Sequence, residues 1–392
     1  MKTKSGFAVF LLLFPFLLQG QINISGKILD IETNNPVQFA TVYINGTTNG
    51  TISDTTGHFQ LNNIVTPCIL VISHVAYTTF TTSLQNKEYP PLEILLEKRE
   101  VHLQEVSILD SNLREQNLKL FRNDFLGTDV WGRYATIENE EAIFFNKEYT
   151  QQQVEIQKEQ IPFYIKENKD KFQWSEDSTS YSYNELINYR VITSKPLIVD
   201  VPLLGYKLYV DLINFVHEYK TKMNPEECSF LGYFYFQPVV QTTKRDSIRI
   251  RKNRIKAYYH STQHFCKSLY ENQLTENGYL LYEIIKDDST LKAHAKVVNL
   301  DTFLIKEDRV AKIIGAQDKI FRISYFEKFN GKPIDLTRRK GKNPFNSILI
   351  FQKDTCIIRN DGTIPETNIL FGDPIGIKKI GAMLPDNYEP TH

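Results

Sequence analysis

Apolar and polar positions alternate most clearly between Pro196 and Pro238. There Leu197-Ile198-Val199, Tyr206 to Leu212 and Tyr233-Phe234-Tyr235-Phe236 are separated by Pro202, Gly205, Pro225 and Gly232. Runs rich in aromatic and branched residues and bounded by turn formers predict strands, here three of them. Tyr206, Leu208, Val210 and Leu212 share one phase of the two-residue period, whereas Ile213, Phe215 and Tyr219 share the other. The pattern slips by one residue near Leu212, which predicts a β-bulge.

Upstream, short strands are expected over residues 22–29, 40–44, 57–61, 69–75 and 92–96. Between them lie Asn34-Asn35-Pro36, Asn45-Gly46, Asn49-Gly50 and Asp54-Thr55-Thr56-Gly57, residues that pre-set turns or tolerate positive φ. Closely spaced strands of this kind predict a small β-sandwich. The period then changes. Leu113, Leu118, Leu120, Phe121 and Phe125 fit one amphipathic helix that follows Ser111-Asn112 and stops at Gly127. A loop holding Trp131 follows, and Ala142-Ile143-Phe144-Phe145 restarts strand character. Residues 151–182 are polar without a firm period and read as hairpins of an insertion.

Residues 243–278 form the strongest helical signal, one long stretch broken at most once, with Ile248, Ile255, Tyr259, Thr262, Phe265 and Leu269 at helical spacing. After Gly278, strands are expected at 279–285, 293–299, 320–326, 347–351 and 356–359.

At 392 residues the chain exceeds a single hydrophobic core, so two domains are expected. The 25 Phe and 21 Tyr against 3 Met favour strand-rich packing. Lys plus Arg equals Asp plus Glu at 46 each, so no global field draws the chain to polyanions and no nucleic-acid partner is expected. Met1-Lys2-Thr3-Lys4 and the apolar run from Phe7 to Leu18 read as a secretory signal removed near Gly20, leaving Gln21 first. No mature stretch is long enough for a membrane helix. Cys68, Cys228, Cys266 and Cys356 lack any Cys-x-x-Cys spacing and read as four small buried hydrophobes.

The front of the chain carries a family resemblance. It lies in Ser25-Gly26-Lys27-Ile28 with Asp30, the run from Pro36 to Ile44, Gly46-Thr47, Gly50-Thr51, the run from Ser53 to Phe59, and Ser73-His74-Val75-Ala76-Tyr77. Together these resemble the carboxypeptidase-regulatory-like family, which implies a seven-stranded transthyretin-like sandwich common at the front of Gram-negative envelope proteins. That module accompanies peptidases and is not their catalytic domain. Phe121 to Gly127, Lys195-Pro196-Leu197-Ile198, Leu204 to Tyr209, Leu231-Gly232-Tyr233, Lys252 to Tyr259 and Leu384 to Tyr388 resemble a region often found behind this sandwich in uncharacterised envelope proteins. The expected plan is a signal peptide at 1–20, the sandwich at 21–100, a linker at 101–112 and a larger α+β strand-rich domain with one long basic helix at 113–392.

Candidate chemistry is sparse. His102 and Glu105 have a zinc-carboxypeptidase spacing, but they sit where the family has its exit strand, and no third ligand or catalytic carboxylate is marked. His260 and His264 are one helical turn apart, without the glutamate of a His-Glu-x-x-His protease. Arg249, Arg251, Lys252, Arg254 and Lys256 form a candidate patch for an anionic ligand, lipid or glycan. No G-x-S-x-G, P-loop or dinucleotide fingerprint is present, and no catalytic residue, metal or cofactor is expected. The remaining length is too short for a plug and a large membrane barrel. The reading is an exported periplasmic, outer-membrane-associated or secreted protein with a non-catalytic binding or scaffolding role. The alternative is an envelope hydrolase with its site in the C-terminal region.

Overall fold

The structure is a computed structural model that describes residues 21–85, 88–99, 111–155, 173–174, 180–219, 226–287, 292–317, 319–327, 344–366 and 368–390. The signal segment, His102, Glu105 and most of the expected linker lie outside the described residues. Among the described residues no helix is long and apolar enough to cross a membrane.

Seven strands build the N-terminal unit: β1 (Gln21–Asp30), β2 (Thr41–Ile44), β3 (Gly50–Ile52), β4 (His58–Val65), β5 (Cys68–Ser73), β6 (Phe80–Leu84) and β7 (Leu92–Leu96). One sheet runs β4-β1-β7 and the other β3-β2-β5-β6. Alternation in β1 places Ile22, Ile24 and Ile28 inward, where they meet Val42, Leu70, Ile72, Phe59 and Leu61 from both sheets. That shared core is the sandwich the spacing predicts, with β3 and β6 added to the five expected strands. Both additions are short of apolar residues, which hides them from a periodicity argument.

Helix α1 (Ser111–Leu126) ends where Gly127 takes φ +102°, a conformation that excludes a Cβ. Trp131 lies on a short helix, α2 (Val130–Tyr134), in place of the expected loop, because Asp129 accepts a hydrogen bond from the amide of Gly132 and caps it. The central sheet follows with β8 (Thr136–Ile137), β9 (Ile143–Glu155), β10 (Gln173–Trp174), β11 (Ser180–Thr193), β12 (Leu197–Val201), β13 (Tyr206–Glu218) and β14 (Glu227–Pro238). The bulge is present. Leu212 pairs with Gly232 but Asn214 pairs with Leu231, leaving Ile213 as the extra, exposed residue. Tyr206, Leu208 and Val210 therefore face the core before it, and Phe215 and His217 face the same core after it. Leu118, Phe121 and Phe125 of α1 cover that face.

The basic helical stretch is two helices, α3 (Lys244–Tyr258) and α4 (Thr262–Tyr270). His260 between them adopts φ +58°, and Ser261 caps α4 by accepting from the amide of His264. The serine and the left-handed residue together stop one helix and start the next.

Strands β15 (Tyr279–Asp287), β16 (Lys292–Val297), β17 (Leu304–Glu307), β18 (Val310–Ile314), β19 (Ile320–Tyr325), β20 (Phe345–Phe351), β21 (Thr355–Arg359) and β22 (Ile369–Phe371) form two further sheets. Their orders are β16-β15-β19-β20-β22 and β17-β18-β21, around a third core that includes Phe265 and Leu269 of α4. The C-terminal segment then straps the molecule together. Ile375 enters this third core, Ile380 and Leu384 enter the central core, and Asp386 reaches the sandwich.

Candidate ligand-binding site

The sandwich is built into the central sheet. Its turn between β2 and β3 covers the free edge of β14: the amide of Gly46 donates to Phe234 O (2.8 Å) and that of Phe236 to Thr47 O (3.0 Å). Asn45 Oδ1 accepts from the amide of Phe234 at 2.8 Å. An edge strand that would otherwise offer unpaired amides is thereby satisfied. From the other side the amide of Asp386 donates to Gly46 O (2.8 Å). A Cβ on Gly46 would lie 1.9 Å from Asp386 Oδ2, so this close approach requires glycine.

Where the three cores meet, the structure leaves a cavity of about 440 Å3. Ile69, Ile213, Phe230, Phe234, Met383 and Leu384 give it apolar walls, and Arg359, Lys378, Lys379, Glu366 and Asp386 bring charge to it. The Lys378 ammonium donates to the carbonyls of Tyr259 (2.7 Å) and Ala257 (3.2 Å). Both carbonyls belong to the C-terminal turn of α3, where a cation also meets the negative end of the helix dipole. Burial nevertheless pulls Lys378 down to about 8, against a weaker opposing pull from Asp129.

Asp386 is only partly exposed. Burial first, then the charge of Asp361, push its carboxyl well above the usual range, with Arg359 opposing. The wall thus sets Asp386, whose charged form burial disfavours, and Glu366 beside two lysines and an arginine. Apolar walls with a few convergent polar groups suit a ligand that has an apolar body and an anionic head.

The structure distributes the residues singled out in the sequence. Arg249, Arg251, Lys252 and Lys256 are exposed on α3, with Arg249 paired to Asp246 at 2.9 Å. Arg254 turns inward: Nε donates to Leu204 O (2.8 Å), and the guanidinium lies 3.9 Å from the centroid of the Tyr206 ring. Four of the five patch residues are therefore exposed to solvent, and the fifth fastens the helix.

His260 and His264 are both buried among aromatic rings. His260 stacks on Tyr325 at 4.7 Å, while Nδ1 of His264 lies 2.8 Å from the hydroxyl of Tyr279. Burial, helped by the charge of Lys378, lowers His260 to about 3. All four cysteines are free thiols. Cys266 and Cys356 are buried, and Cys68 and Cys228 are half-buried.

Lys378 went unread in the sequence, and Asp386 entered only within the Leu384 to Tyr388 resemblance, with no role assigned. Beyond that, the spacing of Ile380, Ala382 and Leu384 is what marks the segment as packed. A second unread group joins Asp124, His217 and Cys228 at the far end of the β13–β14 hairpin. Burial pulls His217 down, yet hydrogen bonds with Asp124 and Cys228 and the charge of Asp124 carry it up to about 10. The visible signal was the bulge itself, since the phase that takes Phe215 inward takes His217 with it.

Residues 24–108 match the CarboxypepD_reg-like domain family. The match spans the seven-stranded unit and marks it as a non-catalytic β-sandwich module. No curated protein matches the chain.

Proposed function

We propose that this is an exported cell-envelope protein with a non-catalytic binding role, its sandwich serving as a docking module and its junction cavity holding an amphiphile with an anionic head. One observation carries the reading: the sandwich turn, the edge strand β14 and the C-terminal strap jointly enclose a cavity whose charged wall carries Arg359, Lys378 and Lys379. The exposed basic face of α3 supports the same preference for anionic surfaces. Export rests on the basic start and apolar run before Gln21. The hydrolase alternative drew on His260 and His264, whose aromatic surroundings give it no support.

Calorimetric titration with dodecanoate and with dodecanol separates head from tail. Dodecanoate is expected to bind measurably more tightly than dodecanol, and Leu384→Trp, which fills the cavity, is expected to abolish binding of both. Equal affinities, or binding untouched by that substitution, would overturn the reading. Export is checked separately by intact mass of the envelope form, which should begin close to Gln21.

A further inference from the structure

We propose that Asp124, His217 and Cys228 form a site for one divalent transition-metal ion of the zinc type, with Glu226 as the carboxylate that orients the imidazole. Three local features assemble the site. The bulge after Leu212 turns His217 toward the core face, and His217 then pairs directly across the hairpin with Cys228. Helix α1, laid over that face by Phe121 and Phe125, brings Asp124 to the same point near its C-terminal end. One donor atom from each residue, nitrogen, sulfur and oxygen, lies within 4.8 Å of the others. Donors sharing one zinc ion stand roughly 3–4 Å apart, given the usual metal–ligand lengths. The group therefore needs only a small adjustment: the sulfur draws in, while His217 Nδ1 and Asp124 Oδ2, now 2.7 Å apart, open to admit the ion.

The surroundings match what an imidazole ligand requires. His217 Nδ1 lies 2.7 Å from Asp124 Oδ2, on the ligand side, and Nε2 lies 3.1 Å from Glu226 Oε1 on the other. A carboxylate on the distal nitrogen fixes the tautomer and raises the basicity of the metal-binding nitrogen. The rings of Tyr189 (5.4 Å) and Tyr219 (4.4 Å) both pack against the imidazole and fix its orientation. The Tyr189 hydroxyl also donates to Asp124 Oδ2, so the carboxylate is positioned as well.

A thiolate with an imidazole selects zinc-like ions over magnesium or calcium, and the charges of thiolate and carboxylate balance a dication. Binding is an exchange. One ion enters while the Nδ1 proton now shared with Asp124 and the Cys228 thiol proton leave to solvent. Three protein donors leave a fourth position, and the partial exposure of Asp124 and Glu226 keeps it reachable.

The test is cobalt(II) titration of the full mature chain under reducing, oxygen-free conditions. One equivalent should produce a near-ultraviolet thiolate-to-cobalt band with visible bands of tetrahedral intensity, and zinc should displace both. Cys228→Ser should remove the thiolate band and Cys68→Ser should keep it. Glu226→Gln should keep the spectrum while weakening affinity about tenfold to a hundredfold. Because Cys228→Ser could misfold, the wild-type chain supplies a second readout: zinc should slow alkylation of Cys228, mapped by peptide mass spectrometry, without slowing that of Cys68. Absence of stoichiometric uptake, a cobalt spectrum without a thiolate band, or alkylation of Cys228 indifferent to zinc would each overturn the site and leave a hydrogen-bonded cluster only.

Discussion

The hydroxyl of Tyr43, on the sandwich, donates to the carboxylate of Asp211, on the central sheet, at 3.1 Å, and both side chains are buried. Asp211 also accepts from Thr79 at 2.6 Å and has the guanidinium of Arg99 3.9 Å away. Burial, reinforced by Asp211, holds the Tyr43 pKa well above the ordinary phenol range, so the hydroxyl stays a donor. Tyr43→Phe deletes one donor to a buried charge while keeping the ring stacked on Tyr235. It should cost about 1.5–3 kcal/mol in urea unfolding. An unchanged midpoint would show that this hydrogen bond adds nothing to the hold of the sandwich on the central sheet.

Arg254 and Lys252 lie two residues apart on α3 and should behave oppositely. Arg254→Ala removes hydrogen bonds to the turn carbonyls of Leu204 and Gly205 and the contact with Tyr206, and should cost about 2–4 kcal/mol. Lys252→Ala on the exposed face should change stability by no more than about 0.5 kcal/mol. Denaturation of the two variants side by side decides it, and equal losses would contradict this division of the helix.

Much of this architecture was legible because burial on one face writes a period into the chain. The slip at Leu212 gave the bulge, Gly127 the end of α1, and the turn residues of the sandwich their places. The candidate cavity was not legible, because Gly46, Phe234, Lys378 and Asp386 come together only through tertiary packing, and a lysine that serves a helix C-terminus looks like any surface lysine. The basic run hid the inward turn of Arg254 for the same reason. His260 and His264 have a spacing that fits metal ligation and packing equally, and only the rings around them separate the two.

Lys378 predicts a rise of stability with alkaline pH. Its folded value of about 8 lies below the ordinary 10.5, so below about 8 it is charged in both states and the cost of burying that charge is fully present. Between those two values the unfolded chain holds the extra proton, and stability therefore rises with pH. The gain should be on the order of 2–3 kcal/mol relative to Lys378→Met, which has nothing to titrate. Urea midpoints of both proteins at the two ends of the window measure it. Parallel curves would mean that Lys378 keeps its proton in the fold.

His260 predicts the corresponding behaviour in acid. Burial, then the nearby Lys378 charge, lowers it from 6.5 to about 3, so the folded protein holds it neutral where the unfolded chain would protonate it. Above 6.5 both states are neutral and the residue costs nothing. As pH falls from 6.5 toward 3 the unfolded chain gains a proton that the fold refuses, and stability drops by about 4–5 kcal/mol over the whole window. Carboxylates titrate in the same range, so the measurement is a difference against a variant. His260→Asn suits this because asparagine tolerates the φ of +58° at this position and does not titrate. The variant should be less stable near neutrality, having lost the stacking on Tyr325, yet fall less steeply in acid, so that the two stability curves converge as pH drops. Curves that keep a constant separation down to pH 3 would show that the imidazole finds a way to carry its proton inside the fold.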